Sequence, residues 1–264
     1  MKYWYDGQLF TEDKISLSID DPGLKYGATV FTTLRVYQQS LDHPLTQWKG
    51  HCHRLQTSLQ QFAWCLPNWQ KIAEGANYLI GTYPVLRITI FPDGKEWITG
   101  RFLPENLVKL QQQGVKGWLA KDSLFQRSLQ GHKTGNYLGA YLALQKAKKL
   151  GFQEAILVNS QDNWLETTTG NLWGWKEGTW YTPGLEVGIL PGIGRWQLIN
   201  WLRQKNINVI ENQWSPSWVK SLELVVYTNS VVEVIPFSSI DCQGEYLNFD
   251  ISGELLQILY QYYQ

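Results

Sequence analysis

Apolar side chains recur along this chain at two periods, and each period predicts a different element. Tyr3-Trp4-Tyr5, a turn at Asp6-Gly7 and Gln8-Leu9-Phe10 read as two short strands, and Asp21-Pro22-Gly23 marks another turn. Phe31 to Tyr37 alternates as a strand with one buried face does. From Trp48 the spacing becomes helical, through Cys52, Leu55, Leu59 and Phe62, and a second helix is predicted from Trp69 to about Ile80, with Pro84 as its stop. Val85 to Phe91 returns to strand and Pro92-Asp93-Gly94 turns. The stretch up to about Gln113 lacks a period and predicts a functional loop or irregular helix, before a short strand at Val115 to Ala120.

Gly131 to Asn136 precedes a helix whose face carries Leu138, Tyr141, Leu142 and Gln145, with Gly151 as the C-terminal stop. Lys133 therefore sits just ahead of a helix. Ala155 to Val158 reads as a buried strand, Gln161-Asp162-Asn163 as a turn, and Trp164 to Thr168 as a returning strand that carries Glu166. A hairpin follows, with arms Leu172 to Trp175 and Trp180 to Thr182 and its tip at Glu177-Gly178. Leu190 to Arg195 feeds a helix with Trp196, Ile199, Trp201 and Leu202, and a strand from Leu224 to Tyr227 runs into Thr228-Asn229-Ser230. This ordering predicts two α/β halves, residues 1–120 and 131–264, joined by a linker at 121–130, with no internal repeat.

The 23 basic and 23 acidic side chains cancel, so no field over the whole chain would gather nucleic acid or an anionic membrane. A small-molecule partner is expected instead. Cys52, Cys65 and Cys242 are odd in number and widely spaced, which gives neither a disulfide framework nor a zinc spacing and fits a reducing cytoplasm. The N-terminal residues lack the basic and apolar regions of a signal peptide, and no run reaches the length of a membrane span. His51 and His53, two of four histidines, point to different helix faces, so no metal pair and no hydrolytic triad is expected. Fourteen tryptophans suit pockets and interfaces as well as plain core.

Three features carry chemistry. The Lys133 amine, between His132 and Thr134 before a helix, can condense with an aldehyde cofactor, although a lysine in such a place is ordinarily solvated. Glu166 on a later strand can keep a pyridine nitrogen protonated, although a lone strand carboxylate is ordinarily only half-buried. Pro191-Gly192-Ile193-Gly194-Arg195 puts two glycines at a helix N-terminus, where free N–H groups attract an anion, and Thr228-Asn229-Ser230 offers further donors. Arg54, on a helix face, can add a bidentate phosphate contact.

Taken in order, Tyr5-Asp-Gly7, Phe31-Thr-Thr-Leu-Arg35, His51-Cys-His-Arg54-Leu55, Lys133-Thr-Gly-Asn-Tyr137, Glu166 with Asn171-Leu-Trp173, Leu190 to Arg195 and Thr228 to Pro236 resemble the fold-type IV pyridoxal-phosphate (PLP) enzymes. That family holds the branched-chain aminotransferases, the D-amino-acid aminotransferases and the 4-amino-4-deoxychorismate lyases. The resemblance implies a small N-terminal α/β domain, a larger C-terminal domain with a barrel-like sheet, PLP in the cleft between them, and a homodimer. It makes Lys133 the covalent lysine and proton shuttle and Glu166 the partner of the pyridine nitrogen. Arg54, Ile193, Gly194 and Ser230 become phosphate contacts, and Tyr137 a donor near the cofactor's phenolic oxygen. Two departures stand out: Tyr26-Gly27-Ala28-Thr29 replaces the usual Gly-Asp-Gly, and glycine precedes Arg195 where many aminotransferases carry threonine.

The Thr32-Thr33 pair is similar to that of some lyases, whereas branched-chain aminotransferases tend to have Glu-Gly there. The resemblance therefore implies a 4-amino-4-deoxychorismate lyase that forms 4-aminobenzoate and pyruvate for folate synthesis. Thr32 or Thr33 would position the leaving pyruvate, and Arg35 or Arg101 would pair a substrate carboxylate. The nearest rival is an aminotransferase for branched-chain or D-amino acids with a 2-oxo acid acceptor, and a more distant one is a PLP-binding protein without turnover.

Overall fold

The structure is a computed structural model that describes residues 2–264. The chain forms two compact units, one made of the residues up to Pro104 with His132–Asn136, the other of Glu105–Gly131 with Tyr137–Gln264.

The first unit contains β1 (Tyr3–Tyr5), β2 (Gln8–Phe10), α1 (Pro22–Tyr26), β3 (Val30–Arg35), α2 (Trp48–Gln61), α3 (Trp69–Ile80), β4 (Val85–Ile90) and β5 (Glu96–Arg101). Its strands form one antiparallel sheet in the order β2-β1-β5-β4-β3. Strand alternation sends Trp4, Val30, Leu34, Leu86, Ile88, Ile90 and Ile98 to one face, where they bury against Leu55 and Leu59 of α2 and Ile72, Ala76 and Leu79 of α3. Gly75 allows α3 to lie directly on Trp4, since a Cβ there would collide with the indole. The edge strand β3 gains a further partner from the lysine segment. Phe31 N donates to Lys133 O at 2.8 Å and Gly135 N to Thr29 O at 2.7 Å, with an isolated bridge between Val30 and Thr134.

The second unit contains α4 (Leu107–Gln113), β6 (Val115–Ala120), α5 (Leu138–Lys149), β7 (Glu154–Val158), β8 (Trp164–Thr167), β9 (Asn171–Lys176), β10 (Thr179–Pro183), α6 (Ile193–Gln204), β11 (Val209–Asn212), α7 (Pro216–Val219), β12 (Leu224–Asn229), β13 (Glu233–Cys242), β14 (Glu245–Asn248) and α8 (Leu255–Tyr260). Six strands close into a barrel, β9-β12-β13-β6-β7-β8, and the Glu166–Asn171 pair joins β8 back to β9. This closure abolishes two sheet edges. Ala140, Ala143 and Ala147 seat α5 on Ala120, Ala155 and Leu157, while Leu198 and Leu202 of α6 and Leu256 and Leu259 of α8 pack on Trp173, Leu224, Val226 and Val234.

The units do not divide where the pattern predicts. Val115–Ala120 is a central barrel strand, paired parallel with β13 and with β7, so the boundary lies at Pro104–Glu105 rather than after residue 120. The segment His132–Asn136 belongs to the first unit because it pairs with β3. Asp21-Pro22-Gly23 opens a helix, with the Asp21 carboxylate capping Gly23 N at 2.7 Å and proline in the first turn. The stretch expected as a functional loop or irregular helix holds the strand β5 and the helix α4. Its pattern is masked by Glu96, which points inward and accepts from Trp4 Nε1 at 2.8 Å and Gly7 N at 2.7 Å. Among the described residues no helix is long and apolar enough to cross a membrane.

Candidate active site

In the first unit the sheet face away from α2 and α3 gathers positive charge. Phe31, Thr33 and Arg35 share that face on β3, with Thr33 directly across from Arg87 and Arg35 across from Val85, which in turn faces Arg101. Two strand spacings thus separate Arg35 from Arg101 at the backbone, about 10 Å. The Phe31 ring receives two cations: the Arg87 guanidinium lies 3.6 Å from its centroid and Lys133 Nζ 4.9 Å. Lys133 and Arg87 are half-buried, Arg101 is exposed, and Arg35 lies over the Tyr37 ring at 4.7 Å.

Thr32 points the other way, beneath α2. It is fully buried, its Oγ1 lies 2.5 Å from His51 Nδ1, and Arg54 Nη2 donates to it at 2.8 Å. The two adjacent threonines are thereby separated: Thr33 shares the face of Lys133 and Arg87, while the Thr32 hydroxyl is committed to a buried network. His51 and Arg54 reach it together because they are three residues apart on one helix face. Burial, and then the charges of Arg54 and Lys133, hold the His51 imidazole well below its ordinary proton affinity.

In the second unit Glu166 is buried at the barrel seam. Its Oε1 accepts from Arg127, and its Oε2 accepts from Leu190 N at 3.1 Å. Arg127 also lies 5.7 Å from the Tyr137 ring, and the Tyr137 hydroxyl donates to Thr168 O in the turn after β8. That turn is tied down from below. Glu154 accepts from the hydroxyls of Thr168 and Thr169, the latter at 2.6 Å, and from Ala155 N at 2.9 Å. Burial nevertheless raises the Glu154 carboxyl above its usual range.

Helix α6 begins at Ile193 with Gly192 as its N-cap and no side chain capping it, which leaves its first N–H groups to an anion. A Cβ on Gly194 would meet nothing nearer than 3.7 Å, and what it would meet is the Asn229 backbone and, at 3.8 Å, the Tyr263 hydroxyl. The glycine turn and Thr228-Asn229-Ser230 are therefore side by side. Within that triplet the Thr228 hydroxyl is taken by Trp173 Nε1 at 3.0 Å, and Asn229 Oδ1 by Val231 N and Val232 N at 2.9 and 3.0 Å. Arg195 turns inward to Thr182 Oγ1, Pro183 O and Glu211, so its charge serves the fold. Glu166, Asn171 and Thr228 lie in one cross-strand row, and Asn171 Nδ2 donates to Leu190 O at 2.9 Å.

Four participants have no site role in the sequence reading. Arg87 sits in an alternating strand, where an arginine reads as a solvated position; only its register with Thr33 shows otherwise. Arg127 falls in the expected linker. His51 enters the sequence reading through metal spacing and the His51-to-Leu55 motif, with no role of its own, although His51 and Arg54 stand at helical spacing. Glu154 precedes a hydrophobic run and carries no motif.

The family model described as "Amino-transferase class IV" matches residues 29–240. Aminodeoxychorismate lyase of Vibrio harveyi is 24% identical over 273 aligned residues, covering 97% of both chains. D-alanine aminotransferase of Bacillus licheniformis is 25% identical, covering 92% of this chain and 89% of that protein. Branched-chain aminotransferase from Thermoproteus uzoniensis superposes with a TM-score of 0.84 at 21% identity, over 100% of this chain and 93% of that one.

Proposed function

The chain belongs to the class IV amino-transferase family, and from that premise we propose that it is a PLP-dependent 4-amino-4-deoxychorismate lyase releasing 4-aminobenzoate and pyruvate. The residues present suit PLP. A lysine amine stands beside a second cation, a buried carboxylate offers itself to a ring nitrogen, and an uncapped helix N-terminus with a glycine cradle accepts a phosphate. Lys133 would hold the cofactor, Glu166 its ring nitrogen, Ile193, Gly194, Ser230 and Arg54 its phosphate, and Tyr137 its phenolic oxygen. When bound, PLP supplies the electron sink for the reaction.

The observation that carries the choice of substrate is the cationic sheet face. Aminodeoxychorismate bears two carboxylates, and Arg35, Arg87 and Arg101 present three guanidinium groups on one face with Lys133 and Thr33. Lys133 Nζ takes the proton from the ring carbon that bears nitrogen, the C–O bond to the enolpyruvyl group breaks, and the departing enol takes up a proton to become pyruvate. Thr33, opposite Arg87, is placed to hydrogen-bond the departing oxygen. Glu166 keeps the ring nitrogen protonated, and Arg127 together with Leu190 N fixes that carboxylate in one orientation.

The rival, an aminotransferase, draws support from the relatives of that name. Turnover of aminodeoxychorismate without any keto acid separates the two. The lyase makes many equivalents of 4-aminobenzoate per protein, whereas an aminotransferase stops after one half-reaction and resumes only with 2-oxoglutarate. Failure to release 4-aminobenzoate, with turnover only when 2-oxoglutarate is present, would transfer the assignment to the aminotransferase.

A further inference from the structure

One set of proton positions gives every part of the Thr32 hydroxyl in the buried network beneath α2 a partner. Arg54 Nη2 can only donate, so Thr32 Oγ1 accepts from it. The single Thr32 proton is then directed at the other neighbour, His51 Nδ1, 2.5 Å away. In that set His51 accepts at Nδ1 and carries its proton on Nε2, as a neutral ring. Its burial at 1% exposure and the adjacent positive charges both hold it in that form.

This chain of donors runs from a charged guanidinium, through a hydroxyl with no rotational freedom left, to an imidazole in the face of a fourteen-residue helix. Every member comes from a regular element, β3 or α2, and none from a loop. Within it the Arg54 guanidinium is held at Nη2 by the Thr32 hydroxyl.

We propose that Thr32 is a positioning residue that aims Arg54 at the cofactor phosphate, with His51 as its fixed acceptor. The inference rests on the reading of Arg54 as a phosphate contact. It gives the two threonines separate duties: Thr33 faces the reacting side and Thr32 the anion-binding arginine.

The test compares two probes that differ only in the phosphate. Affinities of the cofactor-free protein for PLP and for pyridoxal are measured by absorbance titration for wild type, Thr32→Val, Thr32→Ser and Arg54→Gln. Loss of a hydrogen bond to a charged group predicts a roughly tenfold or greater weakening of PLP binding in Thr32→Val, with pyridoxal binding unchanged and Thr32→Ser close to wild type. Arg54→Gln should show the same selective loss. If Arg54→Gln leaves the preference for PLP over pyridoxal intact, Arg54 is not a phosphate contact and the underlying reading falls. If Arg54→Gln loses the preference but Thr32→Val keeps it, the positioning role alone is overturned, as it is if Thr32→Val weakens both probes equally. His51→Leu and His51→Asn give an independent check should Thr32→Val not fold: the leucine variant should lose PLP selectively and the asparagine variant, which retains an acceptor, should not. Equal behaviour of those two variants would overturn the proposal.

Discussion

Each unit buries a titratable group against threonine hydroxyls, and the two do so with opposite polarity. In the first unit the Thr32 hydroxyl accepts from Arg54 and shares a hydrogen bond with His51 Nδ1, to which it donates when the ring carries its proton on Nε2. In the second, Thr168 and Thr169 both donate to Glu154, and no arginine is among the partners named there. Threonine is indifferent to direction. The partner decides it, since a carboxylate can only accept and a guanidinium can only donate, while burial, disfavouring charge in both places, decides the protonation state and the cations beside His51 add to it. The first unit holds a base that resists gaining a proton; the second holds an acid that resists losing one.

A third buried group sharpens the contrast, because Glu166 has the cation that Glu154 lacks. Its partner Arg127 is almost as enclosed as Glu166 itself, with side-chain exposures of 10% and 6%. Replacing Arg127 by methionine should cost about 3–5 kcal/mol of stability, since it leaves the carboxylate buried without its counter-ion. Chemical denaturation of Arg127→Met and of Arg127→Met with Glu166→Gln measures this, and the double variant should recover part of the loss.

The pH response of stability should run in opposite directions for the other two. The His51 proton affinity is depressed in the folded state, so between the folded and unfolded values the unfolded chain binds more protons. Its contribution is complete above about pH 6.5, the ordinary histidine value, and is lost as pH falls below it. The Glu154 carboxyl is raised, so its contribution is complete below the ordinary carboxylate value and is lost as pH rises through the folded one. Each slope is at most about 1.4 kcal/mol per pH unit. Urea midpoints from pH 4 to 8 should lose their rise with pH below about 6.5 in His51→Asn and their fall with pH above the ordinary carboxylate value in Glu154→Gln. Parallel profiles for wild type and both variants would remove the contrast.

The smallest effect serves as a control. Asn68 caps α3, accepting from Gln70 N at 3.0 Å and Lys71 N at 3.2 Å. Asn68→Ala should cost about 1 kcal/mol, equally at every pH, because no proton is exchanged. A pH-dependent loss in that variant would show that the slopes above do not belong to His51 and Glu154 alone.

Much of this was legible in the residues. The amphipathic stripe from Trp48 and the stop at Pro84 place α2 and α3, and the ordered motifs at Lys133, Glu166, Leu190 and Thr228 mark the segments that carry the site. The structure places the glycine turn beside Asn229, a neighbourhood that order alone does not give. What the pattern hides has physical causes. Glu96 faces inward and breaks the alternation of β5, and the lysine segment changes units because it pairs with an edge strand fixed a hundred residues earlier. Period-two parity already sets Thr32 and Thr33 on opposite faces, but which face meets the helix follows only from Val30 and Leu34 packing beneath α2.

Leu190 does two things at once: its N–H holds Glu166 and its C=O is held by Asn171, three residues before α6 begins. On the proposed reading it is the fixed pivot of a caliper whose jaws are the carboxylate and the helix terminus. The opening of those jaws is written in chain length rather than in side-chain size. If both jaws hold the one ligand proposed for them, substitutions in the barrel wall would change how firmly it is gripped, whereas a change in its length would require a residue gained or lost between Leu190 and Ile193.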